Sequence, residues 1–393
     1  MPRARWANLA IFIAEGVLIM GALFLLLALL ECDEQAQGLD WPRLPPCTAE
    51  GSAPACEVER AFTPEDVAAR LAGRDEAVWC EQEELVFLHR AKADAIFLNG
   101  GLQAPMHRVG TSNYWSLVAR VRDLPKATIG YAFLPLRSAV PLWDAQVFRA
   151  WRGSQAPPEP PHVESLAGSI ETHELDAPLL DGSRRLTVYR TPIRGAPEPL
   201  RVVYLTDGHM TADLARFIEP LITQASLPPV LLVGVHAAAS SGLVRYGEKR
   251  AAEYLEPHDS ERFAAHEKFF MDEVMPWAEK TCGASHERRE RALFGVSNGG
   301  AFVLSLALRH RDRVGNVVAF SVASSRPLKP EAPDTRFYFV AGTLEPPLLE
   351  LTKEWAKRLA EGGAETVFRE RVAGHDAVMW REEFPAALQW IFR

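Results

Sequence analysis

The pattern of apolar and polar positions changes twice along the chain and divides it into three parts. A nearly unbroken apolar stretch, Leu9–Leu30, comes first. Between Glu84 and Pro135, short runs rich in β-branched and aromatic residues alternate with turns. From about residue 169 onward, apolar strand-like runs alternate with helical periodicity. This order predicts an α/β unit that follows a small all-β unit.

The all-β region, residues 83–150, predicts a small β-sandwich because no long helix interrupts its strand-like runs. Residues 32–82 predict a cysteine-containing linker and a short helix, which Thr63 can cap and which Pro64 can begin. Residues 151–168 carry two proline pairs and predict a stiff linker. The predicted strands of the sandwich are Leu85–Leu88, Ala95–Leu98, Trp115–Val121 and Ile129–Leu134.

Residues 169–393 have the pattern of an α/β-hydrolase fold, a mostly parallel sheet flanked by helices. Buried parallel strands are continuous β-branched runs, and this region contains several of them. The predicted strands are Leu186–Tyr189, Val202–Leu205, Val230–Val235, Ala292–Val296, Val317–Ser321, Phe337–Val340 and Val367–Val372. The predicted helices are Asp259–Lys280, Gly299–His310 and Leu348–Ala360.

Residues 1–31 predict a membrane anchor or a signal segment. Within Leu9–Leu30 only Glu15 is charged, and Arg3 and Arg5 precede the stretch. We favour an uncleaved anchor because no small-residue cleavage motif follows. A cleaved or lipidated signal and an apolar cytosolic helix are the alternatives. The two arginines should stay on the cytoplasmic side, so we expect the rest of the chain to be exported.

The positions of the cysteines indicate the compartment of the protein, and its net charge indicates which partners it can bind. Four of the five cysteines (Cys32, Cys47, Cys56 and Cys80) lie just after the apolar stretch, which favours one or two disulfides in an oxidising compartment. The fifth, Cys282, is interpreted as a small buried residue. The spacing of cysteine and histidine suggests no metal site. The net charge is −8 and no polybasic run lies beyond residue 5, so nucleic acid is excluded as a partner.

The run Gly295-Val296-Ser297-Asn298-Gly299 has the form of a nucleophile elbow between a predicted strand and a predicted helix. Such a turn holds its serine in strained backbone angles, and a side chain on Gly295 or Gly299 would collide across it. The serine then lies at the N-terminus of a helix, whose dipole favours oxyanion charge. We therefore predict Ser297 as a nucleophile, although a glycine-rich turn with an idle serine has the same pattern.

The other members of a catalytic triad follow from chain order. His375 comes directly after the last predicted strand and is predicted as the general base. Glu345 is the carboxylate that follows the strand Phe337–Val340, and it is predicted to orient the histidine. For the oxyanion hole we predict the backbone N–H groups of Asn298 and His209. No metal or organic cofactor is implied.

These motifs together resemble the esterase D and enterochelin (ferric siderophore) esterase family. The resemblance rests on the elbow, Asp207-Gly208, residues 250–255 and 269–276, residues 342–346, and Gly374-His375-Asp376. The all-β region is similar to the N-terminal sandwich of enterochelin esterases. The resemblance implies a small-molecule ester as substrate, a siderophore trilactone or a related ester. A ferric catecholate is anionic, so Arg245 and Arg250, placed in a loop after Val230–Val235, are candidate substrate-binding residues. The alternative is that Arg250 pairs with Glu253 and that Arg245 is solvated.

The sequence thus predicts a serine carboxylic ester hydrolase. An acyltransferase, in which an alcohol replaces water in the second step, would have the same residues. A binding protein that retains the fold without catalysis is a further alternative. The acyl group, the ligand of the sandwich and the oligomeric state stay open at this point.

The location of the chain is open to a direct test. As a helix, Leu9–Leu30 would span about 33 Å, enough for a bilayer core, and Glu15 would lie about two turns from the cytoplasmic end. We predict that the full-length protein resists carbonate extraction from membranes. A version that begins near Asp33 should be soluble and active. Protection of residues 169–393 from protease added to spheroplasts would show that they are not exported.

Overall fold

The computed structural model describes residues 42–48, 53–137, 140–141, 147–180, 182–193, 195, 199–238, 243–324 and 334–393, with only the backbone at 140–141 and 243–248. The predicted anchor, Leu9–Leu30, and Cys32 lie outside the described residues. Within them, no helix has the length and apolar character needed to cross a membrane.

The predicted sandwich is present, and it consists of two five-stranded antiparallel sheets. Phe87 and Leu117 from the first sheet meet Leu98 and Phe133 from the second in a common core. The first sheet contains β1 (Ala55–Glu57), β2 (Glu76–Glu81), β3 (Glu84–Arg90), β6 (His107–Arg108) and β7 (Tyr114–Val121). The second contains β4 (Ala95–Gly100), β5 (Ala104–Pro105), β8 (Thr128–Arg137), β9 (Val140–Pro141) and β10 (Arg149–Arg152).

The sandwich extends beyond the predicted span of 83–150. Strands β1 and β2 lie in the predicted linker 32–82, and β10 ends inside the predicted linker 151–168. The sequence pattern missed β2 because it is an edge strand with no fully buried position, so apolar and polar residues do not alternate along it. The predicted helix is confirmed as α1 (Pro64–Leu71), where the Thr63 hydroxyl accepts from the Asp66 N–H at 3.1 Å.

The described cysteines agree with the sequence interpretation. Cys47 and Cys56 form a disulfide. Cys80 is an exposed thiol, and Cys282 is buried, as predicted for a small core residue. Burial raises the pKa of the Cys282 thiol, which makes it a poor nucleophile.

The α/β unit is built on an eight-stranded sheet in the order β11-β12-β14-β13-β15-β16-β17-β18. The first three strands in this order pair antiparallel and the rest pair parallel. All seven predicted strands are present; the unpredicted strand is β11, whose exposed and half-buried positions are mostly polar. The strands are β11 (Ser169–Ala177), β12 (Gly182–Arg190), β13 (Arg201–Thr206), β14 (Val230–Val235), β15 (Arg291–Val296), β16 (Asn316–Phe320), β17 (Arg336–Gly342) and β18 (Glu365–Arg371).

Helices cover both faces of this sheet. Along β13, Val202 and Tyr204 point to one apolar core while Val203 and Leu205 point to the other, as the period of a strand requires. Helices α2 and α8 pack on the second core, and α3 to α7 pack on the first. The helices are α2 (Thr211–Thr223), α3 (Leu243–Tyr254), α4 (Ser260–Phe269), α5 (Met275–Cys282), α6 (Asn298–Arg309), α7 (Pro346–Glu361) and α8 (Ala377–Ile391).

The single helix predicted over Asp259–Lys280 is interrupted. A π-helical turn, Phe270–Val274, joins α4 to α5. Pro276 at the start of α5 has no N–H to donate, so the regular hydrogen-bond ladder cannot continue through this point.

Candidate active site

Ser297 lies in a sharp turn between β15 and α6. Its φ is 55° and its ψ is −123°, a conformation that costs a non-glycine residue about 1–3 kcal/mol. The surroundings hold it there, since the Ser297 N–H donates to Phe320 O at 2.9 Å. The side chain is partly exposed while the residues around it are buried. This is the strained, accessible position that a nucleophile elbow requires.

The two glycines of the elbow are needed for close packing, as the sequence predicts. A Cβ on Gly295 would lie 2.2 Å from the carbonyl oxygen of Gly299. A Cβ on Gly299 would lie 2.3 Å from the hydroxyl of Thr206, at the end of β13. The elbow is therefore pressed against the neighbouring strand end, and a larger residue at either glycine would displace Ser297.

The structure places Glu345 and His375 in contact. His375 Nδ1 lies 2.6 Å from Glu345 Oε2. The Glu345 side chain is 4% exposed and that of His375 is 15% exposed, so solvent screens this pair only weakly. Because an ionised carboxylate can only accept, the proton of a neutral imidazole lies on Nδ1 and Nε2 is left as the base.

Two further side chains, which no sequence motif indicates, hold this pair together with a backbone N–H group. The Ser321 hydroxyl donates to Glu345 Oε1 at 2.7 Å, and the Gly342 N–H donates to the same oxygen at 2.8 Å. The indole N–H of Trp380 donates to the Ser321 hydroxyl at 3.0 Å, and its ring packs edge-on against His375 with centroids 4.9 Å apart. Ser321 also follows Phe320, the residue that binds the Ser297 N–H.

The predicted oxyanion-hole residues lie in the first turns of two helical segments at the carboxyl ends of neighbouring strands. Asn298 is the first residue of α6, and His209 lies in a 3₁₀ turn that follows Asp207. Strands β13 and β15, which lead into these segments, pair in parallel. N–H groups in the first turn of a helix have no partner within the helix, so both can face a ligand. Their role as donors stays a prediction.

Arg250 connects the two halves of this predicted oxyanion hole. It lies on α3, and not in a loop as the sequence predicts. Its Nε and Nη2 donate to the two carboxylate oxygens of Asp207, each at 2.7 Å, and Nη2 also donates to Val296 O at 3.2 Å. These contacts join the loop of Asp207 to the end of β15, while substrate binding by Arg250 stays a prediction. The side chain of Arg245 lies outside the described residues.

His236 is a second residue near this loop that the sequence did not indicate. Its Nε2 lies 2.8 Å from the Thr187 hydroxyl, and its ring centroid is 6.5 Å from that of His209. Burial lowers the pKa of His236 to about 4, so this ring is neutral at neutral pH. Among the described residues, no group of three or more histidine, cysteine or acidic side chains could hold a metal ion.

Comparison with known proteins identifies the family. Residues 181–391 match the model of the family described as "Putative esterase". This match covers more than half of the sequence. The chain belongs to this esterase family. A search of curated proteins found no match to the esterase.

Solved structures show the same fold. The enterochelin esterase of Shigella flexneri has a TM-score of 0.62 at 17% identity, over 83% of this esterase and 97% of that chain. The same S. flexneri enzyme in the presence of enterobactin has a TM-score of 0.64 at 17% identity, over 82% and 97%. The ferric enterobactin esterase of Salmonella typhimurium has 0.63 at 17% identity, over 82% and 98%. The overlap is longer than residues 169–393, so it includes sandwich residues.

The role of Arg250 can be tested with Arg250→Lys. A lysine keeps the charge but cannot hold both oxygens of Asp207 in one plane, so the oxyanion loop should move. Complete loss of one oxyanion donor costs about 100- to 1000-fold in kcat, so we expect a smaller fall, roughly tenfold or more, with little change in KM. Steady-state kinetics on a small aryl ester measures both quantities.

The matched control is Arg262→Lys. Arg262 is similarly buried and pairs with the carboxylate of Glu253, which contacts neither Asp207 nor Val296 in the described hydrogen bonds. This variant should retain its kcat. If Arg250→Lys raises KM and leaves kcat unchanged, Arg250 binds substrate and does not position the loop.

Proposed function

We propose that this esterase is a serine carboxylic ester hydrolase that acts through an acyl-enzyme. The observation that carries the proposal is the hydrogen bond from His375 Nδ1 to the buried carboxylate of Glu345. Both residues lie after parallel strands, at the same edge of the sheet as the strained Ser297. A nucleophile, a base and an acid that orients the base are the three parts that such a mechanism needs.

In the first step, Ser297 Oγ attacks the ester carbonyl and His375 Nε2 takes its proton. The negative charge of Glu345 stabilises the imidazolium that forms. The backbone N–H groups of Asn298 and His209 hold the oxyanion, and the imidazolium then gives its proton to the leaving alcohol. In the second step, water takes the place of the alcohol and releases the acid.

For the substrate class, we propose a siderophore trilactone or a related ester. The motifs of the α/β unit and the preceding sandwich support this proposal, because the enterochelin esterases combine the same two units. A screen of aryl, acyl-chain and siderophore esters tests it. Preference for a simple acyl-chain ester over a catecholate trilactone would contradict this choice of substrate and leave the hydrolase proposal intact.

We also propose that the α/β unit acts outside the cytoplasm, anchored by residues 9–30. The apolar stretch and the two preceding arginines support this location. The disulfide Cys47–Cys56 is consistent with an oxidising compartment.

Replacement of the nucleophile gives the primary test. In Ser297→Ala only the attacking oxygen is lost, so ester hydrolysis should fall roughly a thousandfold or more while the melting temperature is maintained. Wild-type protein should also react covalently with a fluorophosphonate, and Ser297→Ala should not.

Ser321→Ala is the matched control for labelling. Ser321 also follows a parallel strand and also has a positive φ, but it contacts Glu345 and is fully buried. This variant should still be labelled, but more slowly than wild type, because Ser321 holds Glu345 in place beside His375. If Ser297→Ala retains activity within tenfold of wild type, the serine mechanism is wrong.

Glu345→Gln tests the role of the acid. The glutamine oxygen can keep the bonds from Ser321 and Gly342, so its amide nitrogen would face His375 Nδ1. That nitrogen donates, so the ring would switch to the tautomer with its proton on Nε2, which cannot accept a proton from serine. We expect kcat to fall about a thousandfold or more. Steady-state ester hydrolysis measures this fall. If Glu345→Gln hydrolyses the ester at the wild-type rate, His375 acts without Glu345.

A further inference from the structure

The loop that carries the proposed base, residues 372–376, rests on the sandwich. The Thr128 N–H, at the start of β8, donates to Val372 O at 2.9 Å. A Cβ on Gly374 would lie 2.1 Å from the carbonyl oxygen of Gly101 and 2.5 Å from its Cα. The two backbones therefore touch directly on both sides of Ala373. We call residues 372–376 the histidine loop.

Asp376, which ends the histidine loop, inserts its carboxylate into the sandwich. Oδ1 accepts from the N–H groups of Val378 and Met379, at 2.9 and 3.1 Å, and so caps α8. Oδ2 accepts from the Gly130 N–H of β8 at 3.3 Å. The residue is 3% exposed. One carboxylate thus joins the histidine loop, a helix of the α/β unit and a strand of the sandwich.

The Asp376 carboxylate packs against two glycines of the sandwich. A Cβ on Gly130 would lie 2.5 Å from Asp376 Oδ1, and a Cβ on Gly101 would lie 2.8 Å from Oδ2. Gly101 and Gly130 are themselves joined by an N–H to O hydrogen bond of 2.7 Å. We call this pair the glycine slot. Since any other residue at either position would meet the carboxylate, the slot is shaped for Asp376.

The loop that carries the acid is held in the same place. The Leu344 N–H donates to Ala373 O at 2.9 Å, which joins the acid loop to the histidine loop. The Leu344 side chain packs against the core of the sandwich. The sandwich therefore supports the positions of both Glu345 and His375.

We propose that Asp376 is a positioning residue, and that the glycine slot makes the sandwich part of the machinery that orients His375. This inference rests on the proposed serine mechanism. The sandwich then serves catalysis by fixing the backbone on which the base is carried, whatever ligand it also binds.

Asp376→Asn separates the two roles of the carboxylate. The amide oxygen can keep the cap of α8, but the amide nitrogen then faces the Gly130 N–H, and two donors cannot bond. The cap is maintained and the link to the sandwich is lost. Because a displacement of about 1 Å in a catalytic group can cost about a hundredfold, we expect kcat to fall about ten- to a hundredfold, with KM within about twofold.

The matched control is Asp259→Asn. Asp259 caps α4 in the same way, by accepting from the Arg262 N–H at 2.9 Å, and it is exposed. Because this cap carries no link to the sandwich, its kcat should be unchanged. Melting temperatures of both variants show whether a loss of kcat arises from unfolding.

Gly130→Ala tests the same contact from the sandwich side. Its Cβ should push the Asp376 carboxylate out of the slot and lower kcat at least tenfold. The double variant, Asp376→Asn with Gly130→Ala, should be no slower than the slower single variant, because both substitutions break the same contact. If the falls in kcat of the two single variants multiply in the double variant, the positioning role is wrong. It is also wrong if Asp376→Asn keeps the wild-type kcat while Ser297→Ala is inactive, and the serine mechanism then stands. If Ser297→Ala is active, the serine mechanism fails first.

Discussion

The buried carboxylate of Glu345 is the constraint on which the geometry of the site depends. A carboxylate removed from water is stable only if hydrogen bonds replace its hydration. Here the Ser321 hydroxyl and the Gly342 N–H satisfy one oxygen, so the other is left for His375. Because the second oxygen also needs a hydrogen-bond donor, the imidazole of His375 is held with its Nδ1–H toward Glu345. The burial of this carboxylate thus sets both the orientation and the tautomer of the ring. The partners come from the ends of β16, β17 and β18, so the parallel order of the sheet is needed to bring them together.

Other buried carboxylates of this esterase have comparable structural roles. Asp207 binds Arg250 and so joins the loop after β13 to α3 and to the end of β15. Glu219 accepts from the N–H groups of Ala167 and Gly168 and from the Tyr189 hydroxyl, which holds the end of the linker on the α/β unit. Asp376 joins that unit to the sandwich. Each one connects segments that lie far apart in the sequence.

The sequence was sufficient to predict features that depend on local pattern or on chain order. Seven strands of the main sheet are apolar runs. Ser297 lies in a short motif in which glycines are required because a side chain would collide across the turn. The pairing of Glu345 with His375 also followed from chain order, because the strand ends of a parallel sheet meet at one edge.

Features that depend on contacts between distant segments could not be predicted in this way. Ser321 and Trp380 carry no motif, and their roles arise only when β16 and α8 lie side by side. Arg250 was predicted to bind substrate because an anionic ester was expected. Its pairing with Asp207, 43 residues earlier in the chain, has no signal in the sequence. The edge strand β2 was missed because its apolar residues Ala77, Val78 and Trp79 are consecutive and do not alternate with polar ones. The edge strand β11 was missed because its exposed and half-buried positions are mostly polar.

The histidine loop follows the sandwich in the chain, and this order has a consequence for folding. Domains generally fold as units, N-terminal first, in the order in which the chain emerges. Strand β8 is complete more than two hundred residues before Asp376 is synthesised, so the sandwich can be folded when its partner emerges. The glycine slot can then act as a preformed template on which the last part of the active site is assembled. Until that final step, the chain would carry Ser297 without its proposed base.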